Sequence, residues 1–185
     1  MIWVGLFRGL NVGKTNRIKN DELINALASI NLSNITTYIQ SGNVVFETNA
    51  DQIGSNEPEQ TAEELEAQID EVLQSQLAIE AKVKVFSKEA FLEIIEANPY
   101  MDLDDIKHIH ISILFEPAVS PQVEKIEADL ASGEQYTLTP DAFYFYAPNG
   151  VGRSKCFNYH EKRLGVAITS RNLRTFIALR KMLDA

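Results

Sequence analysis

Three short stretches concentrate residues that bind anions. Residues 7–19 read FRGLNVGKTNRIK, with two glycines, two asparagines, four cations and no carboxylate. Residues 150–155 read GVGRSK, and residues 169–172 read TSRN. Cationic side chains, amides, hydroxyls and free backbone N–H groups are what proteins use to bind phosphates and carboxylates. The three stretches therefore indicate anion binding.

The distribution of charge supports this interpretation. The chain has 185 residues and a net charge of −9, yet residues 1–19 carry four cations and no acid. Residues 151–185 carry eight cations and two acids, whereas residues 20–150 carry 24 acids and five cations. Both ends are basic and the middle is acidic, which is also compatible with a purely solubilising role of the charges.

Composition limits the class of partner. An overall pI near 4.8 disfavours binding of extended duplex nucleic acid, because only a small patch could neutralise phosphates. No apolar run approaches the roughly 18 residues of a membrane span, so we expect no membrane partner. The single cysteine, Cys156, excludes an internal disulfide and favours a cytoplasmic location. The sequence indicates no cofactor and does not indicate the oligomeric state.

Periodicity and turn residues predict the elements that position these stretches. In the first half we expect strands at 1–8, 35–40, 43–48 and 82–86, and helices at 21–30, 61–78 and 88–97. In the second half we expect strands at 107–115, 135–139, 142–147 and 166–169, and helices at 121–131, 154–164 and 171–183.

Both halves thus have the element order β-α-β-β-α-β-α. This order predicts an α+β protein of two ferredoxin-like β-α-β-β-α-β units in tandem, each followed by an extra helix. We expect the units at 1–98 and 106–185, with a linker at 99–105.

The predicted strand order 4-1-3-2 brings the polar residues of the first half together. Strands 1 and 2 then run in the same direction, so their carboxyl ends share one edge of the sheet. The predicted ligand-binding residues of this half are Arg8, Asn11 and Lys14 on one loop and Gln40, Ser41 and Asn43 on the other.

In the second half, the two helices that follow strands 3 and 4 should begin at the opposite edge. Free helix N–H groups at these starts favour an anion. The predicted ligand-binding residues are Arg153, Ser154 and Lys155 at one start and Ser170, Arg171 and Asn172 at the other. We predict that both halves contribute to one ligand site between the units, with Ser154 and Ser170 beside the two helix N-termini.

Two nucleotide-binding interpretations have less support. The GKT at 13–15 lacks the glycine that a P-loop needs five residues before Gly13, and the element order is wrong. IWVGLF resembles the first strand of RNA-recognition modules. Their third strand carries base-stacking aromatics, however, and SGNVVF offers Asn43 and Val45 at those places.

Metal binding and a cysteine nucleophile are also less favoured. His108 and His110 are two residues apart in a predicted strand and therefore share one of its faces. No third ligand lies nearby in the sequence, so we expect no metal site. Cys156 lies close to a predicted helix start, where the pKa of a thiol can fall, but a buried small apolar role is favoured. No general base is identifiable, so whether the protein is an enzyme stays open.

The motifs also resemble a widespread, mostly bacterial family of uncharacterised proteins catalogued as a domain of unknown function. The resemblance covers nearly the whole chain and rests on RGLNVG (8–13), TYIQSGNVVF (37–46), ANPY (97–100), YFYAPNGVGRSK (144–155) and TSRN (169–172). It implies an α+β fold of duplicated ferredoxin-like character, with no assigned activity.

The function that the sequence favours is binding of a phosphorylated or other anionic small molecule at this basic, Asn/Ser/Gly-rich site. One alternative is an interaction module whose basic ends dock an acidic partner or a nucleic-acid end. Another is purely structural, with the Arg and Asn side chains anchoring loops by bonding to backbone carbonyls.

Overall fold

The computed structural model describes residues 1–12, 16–40, 42–48, 60–103 and 105–184. The chain divides into two compact units, residues 1–93 with 178–185, and residues 94–177. Each unit contains one four-stranded antiparallel sheet with helices, which confirms the predicted α+β class.

Unit 1 is built on the sheet order β2-β3-β1-β4. Because β1 and β2 are both antiparallel to β3, they run in the same direction, as predicted. The elements are β1 (Ile2–Arg8), α1 (Asn20–Ala28), β2 (Leu32–Thr37), β3 (Asn43–Thr48), α2 (Ala62–Leu77), β4 (Lys82–Ser87) and the start of α3 (Lys88–Glu96).

The core of unit 1 explains the apolar run IWVGLF. Trp3 and Phe7 pack in one cluster with residues of α1 and α2, while Val4 and Leu6 alternate to the other face and are also fully buried. A strand that is buried on both faces needs apolar residues throughout. Gly5 has no room for a side chain, since a Cβ there would lie 2.8 Å from Val44 Cγ2.

Helix α2 begins where its sequence predicts. Thr61 Oγ1 accepts from the Glu64 backbone N–H at 3.2 Å, and the Glu64 carboxylate accepts from the Thr61 N–H at 2.8 Å. This capping box satisfies two backbone donors that have no partner within the helix. The apolar face of the helix then carries Leu65, Ile69 and Leu73 into the core at intervals of one turn.

Unit 2 has the sheet order β6-β7-β5-β8, with β5 antiparallel to both β7 and β8. One-turn 3₁₀ helices precede β5 at Ile106–His108 and α5 at Val151–Arg153. The elements are β5 (Ile109–Leu114), α4 (Val123–Asp129), β6 (Gln135–Leu138), β7 (Ala142–Tyr146), α5 (Lys155–Leu164), β8 (Ile168–Asn172) and the start of α6 (Leu173–Leu183).

Two strands are shifted along the sequence by two or three residues relative to the prediction. The second strand spans Leu32–Thr37 rather than 35–40, and the last strand spans Ile168–Asn172 rather than 166–169. Arg171 and Asn172 therefore lie in β8, where they pair with Ile111 and His110 of β5, and not in the first turn of a helix. Hydrogen bonding to β5 sets the end of this strand. The residues next to it in the sequence do not indicate that pairing.

The segment predicted as a linker, 99–105, lies within unit 2 where it is described. Tyr100 is buried, and its hydroxyl lies 3.1 Å from Thr137 Oγ1 on β6. The Tyr144 hydroxyl donates to the Ile94 carbonyl at 2.9 Å, which attaches the end of α3 to the same unit. Among the described helices, none has the length and apolar character that a bilayer crossing requires.

Candidate functional site

The loop after β1 is held by the amide of Asn11. Its Nδ2 donates to the Gln40 carbonyl at 2.7 Å, and its Oδ1 accepts from the Ile18 backbone N–H at 2.9 Å. The Asn11 N–H donates to the Asn16 carbonyl at 2.9 Å. The loop therefore adjoins the β2–β3 connection, as predicted, and both ends of the Asn11 side chain bond to backbone.

Two more asparagines of unit 1 bond to backbone in the same way. Asn16 Nδ2 donates to the carbonyls of Gly9 at 3.2 Å and Glu80 at 3.0 Å. Asn43 is fully buried, and its Nδ2 donates to the Tyr38 carbonyl at 3.0 Å. These amides donate to backbone carbonyls in and beside the turns, which is the loop-anchoring role considered from the sequence.

Of the other predicted ligand-binding residues of unit 1, the structure describes some and not others. Arg8 ends β1 and is half-buried, and Gln40 is exposed and accepts from Asn11 through its backbone oxygen. Lys14 and Ser41 lie outside the described residues. A ligand role for these residues of unit 1 stays a prediction. A single ligand shared with the predicted residues of unit 2 also stays a prediction.

The two predicted helix starts of unit 2 follow strands that end at one edge of the sheet. Strands β7 and β8 are both antiparallel to β5, so they run in the same direction. Ser154 caps α5, accepting from the Phe157 N–H at 3.0 Å. At α6 the cap is Asn172, whose Oδ1 accepts from the Thr175 N–H at 3.0 Å. Ser170 lies two residues before this cap, within β8, so it is beside the helix start without capping it.

Arg171 is a half-buried cation in β8. Its Nη1 donates to Thr169 Oγ1 and to the Ser170 carbonyl, both at 2.9 Å. Burial lowers the pKa of the Arg171 guanidinium to about 10, so it remains charged at neutral pH in a partly desolvated position. Both of these acceptors belong to its own strand.

The other predicted cations of unit 2 have different surroundings. Lys155 Nζ lies 2.6 Å from Oδ1 of the buried Asp129, and Arg163 Nη2 lies 3.1 Å from Oδ2 of the same carboxylate. The pKa of Asp129 is lowered, chiefly by its hydrogen bond from Lys155. The charge of Lys155 is therefore balanced within the unit, whereas Arg153 is exposed at the end of its 3₁₀ turn.

A buried row of polar side chains lies between α5 and the sheet. Ser170 Oγ is 2.6 Å from Ser112 Oγ, and Ser112 Oγ is 2.9 Å from His160 Nε2. The other ring nitrogen, Nδ1, bonds to the Phe157 carbonyl. Burial lowers the pKa of His160, so the ring is neutral at pH 7.

Sequence reasoning missed Ser112 and His160. Each does leave a signal, because Ser112 interrupts the apolar strand IHISIL and His160 takes a core position of α5, four residues after Cys156 and four before Leu164. A polar residue at a core position needs a buried partner. Only the folded register shows that the two are partners across 48 positions.

The remaining candidates have structural surroundings. Cys156 is buried, and desolvation raises the pKa of its thiol to about 12, which makes it unreactive. His108 Nε2 lies 3.3 Å from Asp105 Oδ2, and the His110 ring packs edge-on against Phe157. Among the described residues, no group of three His, Cys, Asp or Glu is arranged to hold a metal ion.

A family model described as "Protein of unknown function (DUF1697)" matches residues 1–144. The chain belongs to the DUF1697 family. The match includes the Asn11 loop of unit 1 and Ser112 on β5, while α5, β8 and α6 follow the matched residues. It confirms the resemblance noted from the motifs.

A solved structure similar to this DUF1697 chain is that of the conserved bacterial protein SP0830 from Streptococcus pneumoniae. The two share 20% sequence identity at a TM-score of 0.69, and the similarity covers 98% of each chain. At this identity the likeness shows a common fold. No curated protein matches the chain.

Proposed function

We propose that the protein binds a phosphorylated or otherwise anionic small molecule, with Arg171 as the principal cation. The observation that carries this proposal is the half-buried guanidinium on β8, whose pKa burial lowers to about 10. Partial desolvation makes a cation a stronger attractor of anions than an exposed one, because the local dielectric is lower. Arginine also matches phosphate and carboxylate geometry with paired N–H donors.

The surroundings of Arg171 add a polar group on its own face of β8, because the hydroxyl of Thr169, two residues away, accepts from the guanidinium at 2.9 Å. Ser170 and Asn172 flank Arg171 in the strand, and strand alternation puts their side chains on the other face. Strands β7 and β8 end at the same edge, where α5 and α6 begin. We propose further that each unit is ferredoxin-like, on the basis of its element and strand order, and that the protein acts in the cytoplasm, where a lone cysteine stays reduced.

Thermal unfolding in the presence of candidate ligands tests this function. Nucleotides, sugar phosphates and small carboxylates are added separately, and a ligand at about 100 times its Kd should add about 2.7 kcal/mol to the free energy of unfolding. Arg171→Met, which keeps an apolar stem, should lose most of that gain. Arg174→Met is the matched control, because Arg174 is exposed on the first turn of α6.

Two outcomes would contradict the proposal. One is the absence of stabilisation by every class of anion, and the other is equal stabilisation of wild type and Arg171→Met. Binding of an acidic polymer such as polyglutamate, without any small-molecule effect, would favour the interaction-module alternative instead.

A further inference from the structure

The row of side chains between α5 and the sheet has a defined direction of hydrogen bonding. A backbone carbonyl can only accept, so the bond to Phe157 O places the ring proton of His160 on Nδ1. Nε2 is then an acceptor, and the Ser112 hydroxyl must donate to it. Because the Ser112 proton is used in the bond to His160, Ser112 Oγ accepts from the Ser170 hydroxyl. The row therefore runs from the Ser170 hydroxyl to a basic nitrogen of His160.

Only one member of this row is open to a substrate. Ser112 is fully buried and His160 is 4% exposed, so neither can be reached from outside. Ser170 is half-buried and lies on β8, which forms the edge of its sheet. A group that reacts with this row must therefore meet it at Ser170 Oγ.

A further donor lies on the same face of β8. Asn172 is two residues from Ser170, and side chains two apart on a strand share a face. Its Oδ1 is used as the cap of α6, accepting from Thr175 N–H at 3.0 Å and from Thr175 Oγ1 at 3.2 Å. Among the residues that the structure describes, its Nδ2 has no partner. An amide N–H in this position is suited to hydrogen-bond a developing oxyanion.

We propose that Ser170 is a nucleophile that accepts an acyl group from a carboxylic ester, with Ser112 and His160 relaying its proton. Ser170 Oγ forms a bond to the carbonyl carbon while its proton passes to Ser112 Oγ and the Ser112 proton passes to His160 Nε2. The C–O bond to the leaving alcohol then breaks, and the alkoxide takes its proton from solvent water, because the acylated Ser170 Oγ can no longer pass one from the row. Solvent water hydrolyses the acyl-serine to the carboxylic acid and restores the Ser170 hydroxyl, and the proton held on His160 Nε2 then returns to solvent along the row.

The protonation state of His160 suits this role. Burial is the largest influence on its pKa and lowers it, so the neutral, accepting form dominates at pH 7. His110 on β5 lowers the pKa further, while the Phe157 carbonyl and Glu161 on the same helix raise it. The relay is independent of anion binding at Arg171, which points along β8 to Thr169.

A fluorophosphonate probe, which phosphonylates activated serine hydroxyls with loss of fluoride, tests the relay. We expect peptide mapping to place the label on Ser170 and Ser170→Ala to stay unlabelled. Folded Ser112→Ala and His160→Gln should react about 100-fold more slowly, the usual range for loss of a general base. Ser75→Ala is the control, since its hydroxyl donates to the Glu71 carbonyl of its own helix, and it should react like wild type.

The pH dependence of labelling separates a relay from a merely structural network. The wild-type rate should rise with pH as His160 loses its proton, below the ordinary histidine pKa of about 6.5, and then level off. This measurement needs no variant, so it decides the matter even where Ser112→Ala or His160→Gln fails to fold. An unlabelled Ser170, a rate that increases only above about pH 8, or wild-type rates in folded Ser112→Ala and His160→Gln would overturn the proposal.

Discussion

The polar residues of the β1 loop in unit 1 and those beneath α5 in unit 2 differ in what they bond to. Asn11, Asn16 and Asn43 direct their amides to backbone groups. Ser112, Ser170 and His160 bond chiefly to one another. Amide-to-backbone bonds shape a loop and leave little for a ligand, whereas linked hydroxyl and imidazole groups can transfer a proton. A high density of polar residues in a sequence motif therefore does not distinguish residues that anchor a loop from residues available for chemistry.

Of the substitutions considered, Gly42→Ala in unit 1 should cause the largest loss of stability. Gly42 has φ of +70°, and a Cβ there would lie 2.7 Å from Phe7 Cβ. A left-handed backbone and an overpacked contact each cost on the order of 1–3 kcal/mol, so Gly42→Ala should lose about 3 kcal/mol of unfolding free energy. Urea denaturation measures the loss.

Two other glycines serve as matched controls for this prediction. Gly150 has φ of +80°, and a Cβ added there would have no atom within 4 Å, so Gly150→Ala isolates the cost of φ at about 1 kcal/mol. Gly152 has neither constraint, and Gly152→Ala should be close to neutral. Equal losses in all three would contradict the packing argument.

The anchoring role of Asn11 predicts a smaller loss. Asn11 has φ of +54°, so Asn11→Gly keeps the backbone conformation accessible and removes only the side-chain hydrogen bonds. We expect a loss of about 1–2 kcal/mol in unfolding free energy. The same variant should bind anions and react with fluorophosphonate like wild type. A wild-type stability with lost ligand binding would instead place Asn11 in the ligand site.

The histidines of unit 2 should make stability depend on pH. Burial lowers the pKa of both His110 and His160 in the folded chain, so the unfolded chain binds protons first as pH falls. Stability should therefore decrease as pH falls through and below about 6.5. Melting temperatures near pH 5 and pH 7.5 should differ less in the double variant His110→Gln/His160→Gln. Asn11→Gly should keep the wild-type dependence, and an unchanged dependence in the histidine variant would refute this assignment.

The smallest expected effect is at Lys155. Its ammonium is largely exposed and pairs with Asp129, which keeps Arg163 as a second partner. Lys155→Met should lose less than about 1 kcal/mol of unfolding free energy and should leave anion binding unchanged, in contrast to Arg171→Met. Titration calorimetry with the ligand found by thermal unfolding provides the check. A large drop in affinity would show that Lys155 contacts the ligand.

Local patterns predicted most of the fold. The capping box at Thr61, the apolar run of β1 and the alternation of β3 all depend on neighbours in sequence, and these elements begin and end within a residue or two of the prediction. The placement of TSRN was missed because its strand is held by pairing with β5, far away along the chain. Likewise, no spacing rule relates Ser112 to His160, since their contact depends on how α5 packs on the sheet.

The most direct test of the proposed function follows the side-chain resonances of Arg171 by NMR in ¹⁵N-labelled protein during titration with inorganic phosphate. The account predicts a saturating shift of the Arg171 Nε–H resonance with phosphate concentration. Arg180, exposed near the end of α6, should move little. A resonance of Arg171 that stays in place, or that drifts without saturation in parallel with Arg180, would contradict the assignment of the anion site to β8.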